Sequence, residues 1–198
     1  MERTNGKGKD FEPGLPMAAL LVPAVCFGAG GILGWASVLF FAAEELIPTA
    51  EYLTELFHLI RAGEVSVSFF PLLVRRVSEC AVLFLLSCST LGTVGAWLSL
   101  FVHGFLFSFS VSCVIRIFGA SAWGVAGGLF LLPALMRVPS LLFCFSGGVC
   151  ARRNRGQVGI CVPALKYVVY GIGLCLLCVC LECLLLPEVL QILLDLMP

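Results

Sequence analysis

The sequence predicts an all-α integral membrane protein, and two observations lead to that prediction. First, 60% of the 198 residues are hydrophobic and only 12% are charged, about half the charged share of a typical soluble domain. Second, no Asp, Glu, Lys or Arg occurs in residues 13–43 or 80–115. Runs of this length can cross a bilayer as helices. We therefore expect a single membrane domain over residues 1–198, with about five transmembrane helices and an outer amphipathic helix.

The same composition excludes several other classes of protein. A soluble enzyme or a disordered tail would carry more charge, and a nucleic-acid-binding module would need a basic face. Here 12 Lys and Arg residues balance 12 Asp and Glu residues. We therefore expect membrane lipid as a partner, and no nucleic acid.

The first span is predicted over residues 17–42. This apolar stretch is about twice as long as the ~7–15 residues of a secretory signal core, so it is interpreted as a signal-anchor helix. The polar residues 1–16 before it form a predicted cytoplasmic N-terminus. Four glycines would give the span a close-packing face, and these are Gly28, Gly30, Gly31 and Gly34.

Residues 44–79 are predicted to form an extracytoplasmic amphipathic segment. Leu53, Leu56, Phe57 and Ile60 have the spacing of one helix face. Acidic residues lie off that face, which is typical of a helix at a membrane surface. Candidate partner-docking residues in this segment are Glu51, Glu55 and Glu64.

The uncharged run 80–115 is predicted to be a hairpin. A single helix of that length would reach ~54 Å, whereas the hydrocarbon core is ~30 Å thick. We place the break between Gly95 and Gly104, where Trp97 and His103 suit an interface. The resulting second and third spans are residues 80–98 and 101–118.

The fourth span, residues 123–150, contains Pro133 and Pro139 and is expected to be broken by them. The fifth span is predicted over residues 167–186, and residues 187–198 form an amphipathic tail. Seven basic residues then lie in inner segments against four in outer ones. The positive-inside rule favours an inner N-terminus and an outer C-terminus.

Arg137 and Glu182 are the candidate functional charges within the spans. An arginine at membrane depth costs at least ~2.5 kcal/mol and needs a partner, for which Glu79 and Glu182 are the candidates. The functional interpretation is an ion or substrate path. The alternatives are a buried structural pair, or side chains that reach the interface.

Catalytic motifs are not found in the sequence. His58 and His103 are far apart, and the metalloprotease, phosphate-loop and serine-nucleophile patterns are missing. Most of the eleven cysteines lie in apolar runs and are interpreted as small packing residues. Cys175-x-x-Cys178 and Cys180-x-x-Cys183 have spacing like that of zinc ligands, but no histidine accompanies them. No enzyme, metal or cofactor is predicted.

One region, from Ala62 to Ser146, contains an ordered series of short motifs. They are Gly63-Glu64 with Ser66 and Ser68, Leu91-Gly92, His103-Gly104-Phe105 with Ser108-Phe109, Phe118-Gly119 with Gly124, and Leu132-Pro133 with Pro139. In this order they resemble the stage II sporulation protein M (SpoIIM) family. His103 stands where that family often has Lys, and Ser108 where it often has Gly. The resemblance marks Gly104, Gly119 and Gly124 as candidate structural residues.

The resemblance implies a role as well as a fold. Members of that family look like non-enzymatic scaffolds that gather the peptidoglycan-degrading stage II sporulation proteins D and P at the septum during engulfment in endospore formation. The expected location is the bacterial cell membrane, at the sporulation septum. The expected partners are such hydrolases, and homo-oligomerisation stays open.

Two other hypotheses remain from the residues alone. A small transporter or channel subunit could use the helix broken at Pro133, Arg137 and Pro139, since broken helices with buried charge form transporter sites. An intramembrane enzyme or redox protein could instead use the cysteines at 175, 178, 180 and 183.

Overall fold

The computed structural model describes residues 17–64, 68–119, 122–153 and 162–195, and every regular element in these ranges is helical. The all-α prediction is confirmed for this part of the chain. The predicted N-terminal segment 1–16 lies outside the described residues. The elements are α1 (Met17–Phe40), a 3₁₀ turn (Ala43–Leu46), α2 (Ile47–Arg61), α3 (Phe69–Ser87), α4 (Thr90–Phe118), α5 (Trp123–Ala126), a π-helical turn (Gly127–Leu131), α6 (Leu132–Arg153), α7 (Val162–Leu184) and α8 (Leu186–Asp195).

Within the described ranges, four helical stretches are long and apolar enough to cross a membrane. They are Leu21–Phe40, Thr90–Phe118, Trp123–Arg153 and Ala164–Leu184. These stretches fit a multi-pass membrane protein. The predicted first span 17–42 corresponds to α1. The predicted fifth span 167–186 corresponds to α7, which begins five residues earlier.

The predicted hairpin break between Gly95 and Gly104 is wrong. The chain turns at Cys88 and Ser89, and α4 then continues unbroken to Phe118. The Ser89 side chain caps α4 by accepting the backbone N–H of Gly92 at 2.8 Å, as N-cap serines do. The predicted spans 80–98 and 101–118 are therefore replaced by α3 and α4.

The predicted outer segment 44–79 ends in residues 69–79, which form the first part of α3 and continue without interruption to Ser87. From their charge alone, Arg75, Arg76 and Glu79 are expected to lie outside the bundle. In the structure Arg76 and Glu79 are mostly buried, because they are paired with charges on other helices.

Helix directions follow from successive contacts along the chain. α1 and α4 run parallel, since Gly30 lies beside Phe101, Gly34 beside Phe105 and Val38 beside Arg116. Because α4 has the same direction as α1, the chain must return between them, and α3 is the long helix that does so. α6 runs parallel to α3, and α7 runs antiparallel to α6. Leu83, Ala96, Leu100, Phe145 and Cys175 form the main buried core between α3, α4, α6 and α7.

The predicted break at Pro133 and Pro139 in the fourth span, 123–150, is also wrong. Trp123–Arg153 is one continuous helical stretch. Proline lacks a backbone N–H and clashes with the preceding turn of a regular helix. The π-helical turn directly before Pro133 widens the helix there, with the Leu132 N–H bonded to the Gly127 carbonyl. Pro139 is accommodated within α6.

The predicted amphipathic face of α2 is confirmed. Leu53, Phe57 and Ile60 are buried, and Leu56 is half-buried. Phe57 and Ile60 pack against α8, which corresponds to the predicted tail 187–198 as far as residue 195. We call α2 and α8 together the end platform, since they cover the same end of the bundle.

Candidate functional site

A cavity of about 420 Å³ lies where α1, α3, α4, α6 and α7 meet. Its wall on α1, α4 and the π-helical turn is mostly apolar, with Phe27, Phe107 and Phe130 among its residues. Its wall on α3, α6 and α7 is charged. We call it the charged cavity, and its titratable lining residues are Arg75, Arg76, Glu79, His103, Arg137 and Glu182.

Two ion pairs join the three helices of the charged wall. Arg137 Nη2 donates to Glu79 Oε2 at 2.8 Å, linking α6 to α3. Arg76 Nη2 lies 2.9 and 3.1 Å from the two carboxylate oxygens of Glu182, linking α3 to α7. Of the two predicted partners for Arg137, Glu79 is therefore confirmed, whereas Glu182 pairs with Arg76.

Glu79 is the centre of the cluster. Besides Arg137, its carboxylate lies 3.5 Å from Arg76 Nη1, 3.7 Å from Arg75 Nε and 4.0 Å from His103 Nε2. The other ring nitrogen of His103 is 2.8 Å from the Ser99 carbonyl oxygen. One carboxylate thus faces four basic side chains.

Burial separates these charges into two groups. The side chains of Arg76 and Glu182 are 14% and 6% exposed, whereas that of Arg75 is 77% exposed. A buried pair loses hydration and depends on its partner, and an exposed charge does not. Arg76 and Glu182 are therefore structural members of the cluster, while Arg75 stays available to solvent or to a ligand.

Arg75 and Arg76 are members of the site that were not predicted from the sequence. A signal was present, because Arg76, Glu79, Leu83 and Ser87 recur at three- and four-residue spacing. That is the pattern of one helix face, continuous with the apolar residues of α3. Because residues 44–79 were predicted to lie outside the membrane, this face of α3 was not assigned to the interior of the bundle.

The prolines and glycines that were predicted as site residues do not lie together in the structure. Pro133 lines the charged cavity, and its carbonyl oxygen lies 3.5 Å from Cys178 Sγ. Pro139 lies within α6 and is not a lining residue. Gly119 ends α4 with φ at +78°, a conformation that favours glycine. Gly124 packs against Leu193 of α8.

Gly104 holds α4 against α1. A Cβ atom built there would collide with the Phe27 carbonyl oxygen. Gly30 and Gly34 of the predicted close-packing face meet the α4 backbone in the same way. A Cβ atom added at Gly28 would meet no atom within 4 Å, and one added at Gly31 would make only ordinary contacts. Two of the four predicted glycines, Gly30 and Gly34, therefore form the crossing of α1 with α4.

The predicted partner-docking residues are solvent-facing. Glu51 and Glu55 line a shallow depression on α2, together with His58. Glu64 is exposed just beyond the end of α2. The depression is separate from the charged cavity and shares no lining residue with it.

The cysteine cluster of α7 is divided between the interior and the surface. Cys175 and Cys178 are buried, whereas Cys180 is exposed. Cys178 Sγ lies 3.4 Å from Glu182 Oε1. Among the described residues, no three His, Cys, Asp or Glu side chains are placed to hold a metal ion.

The side chains of the charged cavity are suited to binding a charged group. Its described lining contains paired guanidinium and carboxylate groups beside an apolar wall. Comparison with family models, with curated proteins and with solved structures finds no match to this chain.

Proposed function

We propose that this chain is a five-span membrane protein that acts as a non-enzymatic scaffold on the outer side of a bacterial cell membrane. Four apolar helices would supply four crossings. The fifth would be α3, which returns the chain between the parallel helices α1 and α4. Its charges favour this assignment because Arg76 and Glu79 face partners inside the bundle rather than lipid.

The distribution of basic residues supports an inner N-terminus. Among the described residues, the basic side chains at the end of the bundle that carries α2 are Arg61 and Arg116, whereas Arg75 and Arg76 lie within α3. By sequence, seven basic residues lie before α1 or between the end of α6 and the first turns of α7, in segments that would adjoin the opposite end. These are Arg3, Lys7, Lys9, Arg152, Arg153, Arg155 and Lys166. Positive residues are enriched on the cytoplasmic side, so the end platform would face outward.

The observation that carries the scaffold proposal is the attachment of the end platform to the bundle. Phe57 of α2 packs on Phe118 at the end of α4, with ring centroids 5.1 Å apart. Arg61 donates to the Leu194 carbonyl, which joins α2 to α8. Arg116 donates to the carbonyls of Val38 and Phe41, which joins α4 to the end of α1. A surface held in this way presents its outer groups in a fixed arrangement.

The surface around the end platform is acidic. Its exposed carboxylates are Glu44, Glu45, Glu51, Glu55, Glu64 and Glu188. Complementary charge guides which partner binds and how fast, so the partner would present a basic segment near the membrane. Following the sporulation-family resemblance, we assign this role to peptidoglycan-degrading proteins at the sporulation septum.

Reversing the charge of Glu51 and Glu55 to lysine should reduce the recovery of such hydrolases about tenfold. Both side chains are exposed, so the fold is expected to tolerate the change, whereas a basic partner would meet like charge. The measurement is affinity purification of the tagged full chain from cross-linked native membranes, with a photo-reactive residue in place of the exposed Tyr52 to identify direct contacts.

The matched control reverses two exposed charges at the other end, Arg153→Glu with Lys166→Glu. This control should leave hydrolase recovery unchanged. Equal recovery with the Glu51 and Glu55 variant, or wild-type membranes that yield no hydrolase cross-link at Tyr52, would contradict the scaffold proposal.

A small transporter or channel subunit is the second candidate, and the charged cavity is the observation that favours it. Arg137 lies in that cavity together with Pro133. The Arg137→Gln variant should then abolish solute flux in proteoliposomes while hydrolase recovery stays normal. Flux that is absent from wild-type proteoliposomes, or unchanged in the variant, would exclude a path through Arg137.

A further inference from the structure

The charged cavity contains more positive than negative charge. Three guanidinium groups, from Arg75, Arg76 and Arg137, face two carboxylates, from Glu79 and Glu182. The arginines and glutamates alone therefore leave one positive charge over. Arg76 and Arg137 engage the carboxylates at 2.9 and 2.8 Å, whereas Arg75 approaches Glu79 only to 3.7 Å. The excess charge therefore belongs to Arg75.

Hydrogen-bond donors exceed acceptors in the same place. Arg76 Nε and Arg137 Nε are buried and have no hydrogen-bond partner within the described ranges. Buried donors are normally satisfied. An anion that entered the cavity would supply both the missing negative charge and, after a small rotation of either guanidinium, a missing acceptor.

The exposure of its lining residues indicates that the mouth of the charged cavity lies between α3 and α4. Arg75 and Leu106 are the two exposed residues of its lining, one on each helix. The surface beside the mouth is apolar. On α4, Leu98, Val102 and Leu106 recur every four residues, and all three are exposed. We call these three residues the α4 stripe. Such a mouth suits an approach from lipid better than an approach from water.

We propose that the charged cavity binds the phosphodiester of an anionic membrane lipid through Arg75, with an acyl chain lying along the α4 stripe. Arginine suits phosphate because its planar donors match the phosphate oxygens. A volume of about 420 Å³ falls within the usual range of ~300–1,000 Å³ for small-molecule sites. The apolar wall at Phe27, Phe107 and Phe130 would receive the part of the lipid next to the headgroup.

The depth of the site also suits a lipid headgroup. Arg75 follows the start of α3 by six residues, which is ~9 Å along the helix axis. A long arginine side chain can extend its charge toward the interface from that depth. Free phosphate would use the same guanidinium groups but would gain nothing from the α4 stripe, so the two sources can be separated by experiment.

The test uses the purified full chain, freed of lipid in a neutral detergent, and counts bound lipid by native mass spectrometry. Phosphatidylglycerol should bind at least about tenfold more tightly than phosphatidylcholine, whose headgroup has no net charge. The Arg75→Gln variant should lose about tenfold in affinity for phosphatidylglycerol. Arg153→Gln removes the same charge from an exposed position at the other end of the bundle and should bind like the wild type.

A second variant keeps every charge. Leu106→Trp would narrow the mouth and should also weaken phosphatidylglycerol binding, so the test does not depend on Arg75 alone. Equal binding of the two lipids, or Arg75→Gln binding as tightly as Arg153→Gln, would overturn the proposal. Inorganic phosphate that bound as tightly as phosphatidylglycerol would overturn the assignment to a lipid.

This inference does not rest on the scaffold proposal. The variant with lysine at positions 51 and 55 should bind phosphatidylglycerol normally, because the depression on α2 that contains both positions shares no lining residue with the charged cavity. If wild-type membranes yielded no hydrolase but the protein bound phosphatidylglycerol as expected, only the scaffold proposal would be contradicted. If hydrolases were recovered but phosphatidylglycerol was not preferred, only the lipid site would be contradicted.

Discussion

Substituting Gly104 by leucine should prevent the stable packing of α1 against α4. The α-carbon of Gly104 faces the Phe27 backbone so closely that an added Cβ would collide with the Phe27 carbonyl oxygen. The obstacle is backbone, which cannot rotate aside, so the two helices must separate. Overpacking a core costs ~1–3 kcal/mol and occasionally more, and we expect about 3 kcal/mol or more here. Whole proteins are stable by only ~5–15 kcal/mol.

The measurement is the midpoint of thermal unfolding in detergent, together with the yield of monodisperse protein. Gly104→Ala should also lower the unfolding midpoint, but by less than Gly104→Leu, since the collision begins at Cβ. Gly34→Ala should behave similarly, because its added Cβ would meet the Phe105 carbonyl oxygen.

Gly28 offers the matched control on the same helix pair. An added Cβ at Gly28 meets no atom within 4 Å, and alanine is favoured over glycine in helices by up to ~1 kcal/mol. Gly28→Ala should therefore leave stability unchanged or slightly raised. A Gly104→Leu protein as stable as Gly28→Ala would show that α1 and α4 do not cross at Gly104.

Substituting Glu182 by leucine should have the second large effect on stability. Glu182 is 5% exposed and is the close partner of Arg76. Removing one member of a buried ion pair leaves the other charge uncompensated, which costs ~3–5 kcal/mol. Arg76 keeps Glu79 at 3.5 Å, so we expect a loss near the lower end, about 3 kcal/mol in the free energy of unfolding.

A double-mutant cycle separates the ion pair from ordinary packing. Arg76→Met should also destabilise, because it leaves Glu182 buried without its partner. The double variant with both substitutions should be more stable than either single variant, since replacing a buried pair by apolar residues is often neutral. Additive losses in the double variant would show that the two side chains are not coupled.

Arg75→Met is the neighbouring control for this cycle. Its side chain is 77% exposed and 3.7 Å from Glu79, and exposed pairs contribute ~0–1 kcal/mol. It should change stability little, in contrast to Arg76→Met one residue later. The same contrast supports the use of Arg75→Gln as a binding variant that remains folded.

Several charged residues of the candidate site could be predicted from the sequence, but not which of them form ion pairs with each other. Arg137 was identified because an arginine in an apolar helix is costly, and Glu79 was named among its partners. The pairing of Glu182 with Arg76 was not anticipated. It depends on α3 and α7 lying side by side, and distance along the chain contains no information about that contact.

The sequence by itself determined the all-helical, apolar character of the chain and the amphipathic face of α2, because hydropathy and its 3.6-residue period are local properties. Only the tertiary structure decided where α3 ends and that α4 runs unbroken. The physical reason is that the cost of a buried charge depends on its partner. Arg76 and Glu79 look like surface residues when α3 is considered alone, and they become interior residues once Arg137 and Glu182 are placed against them.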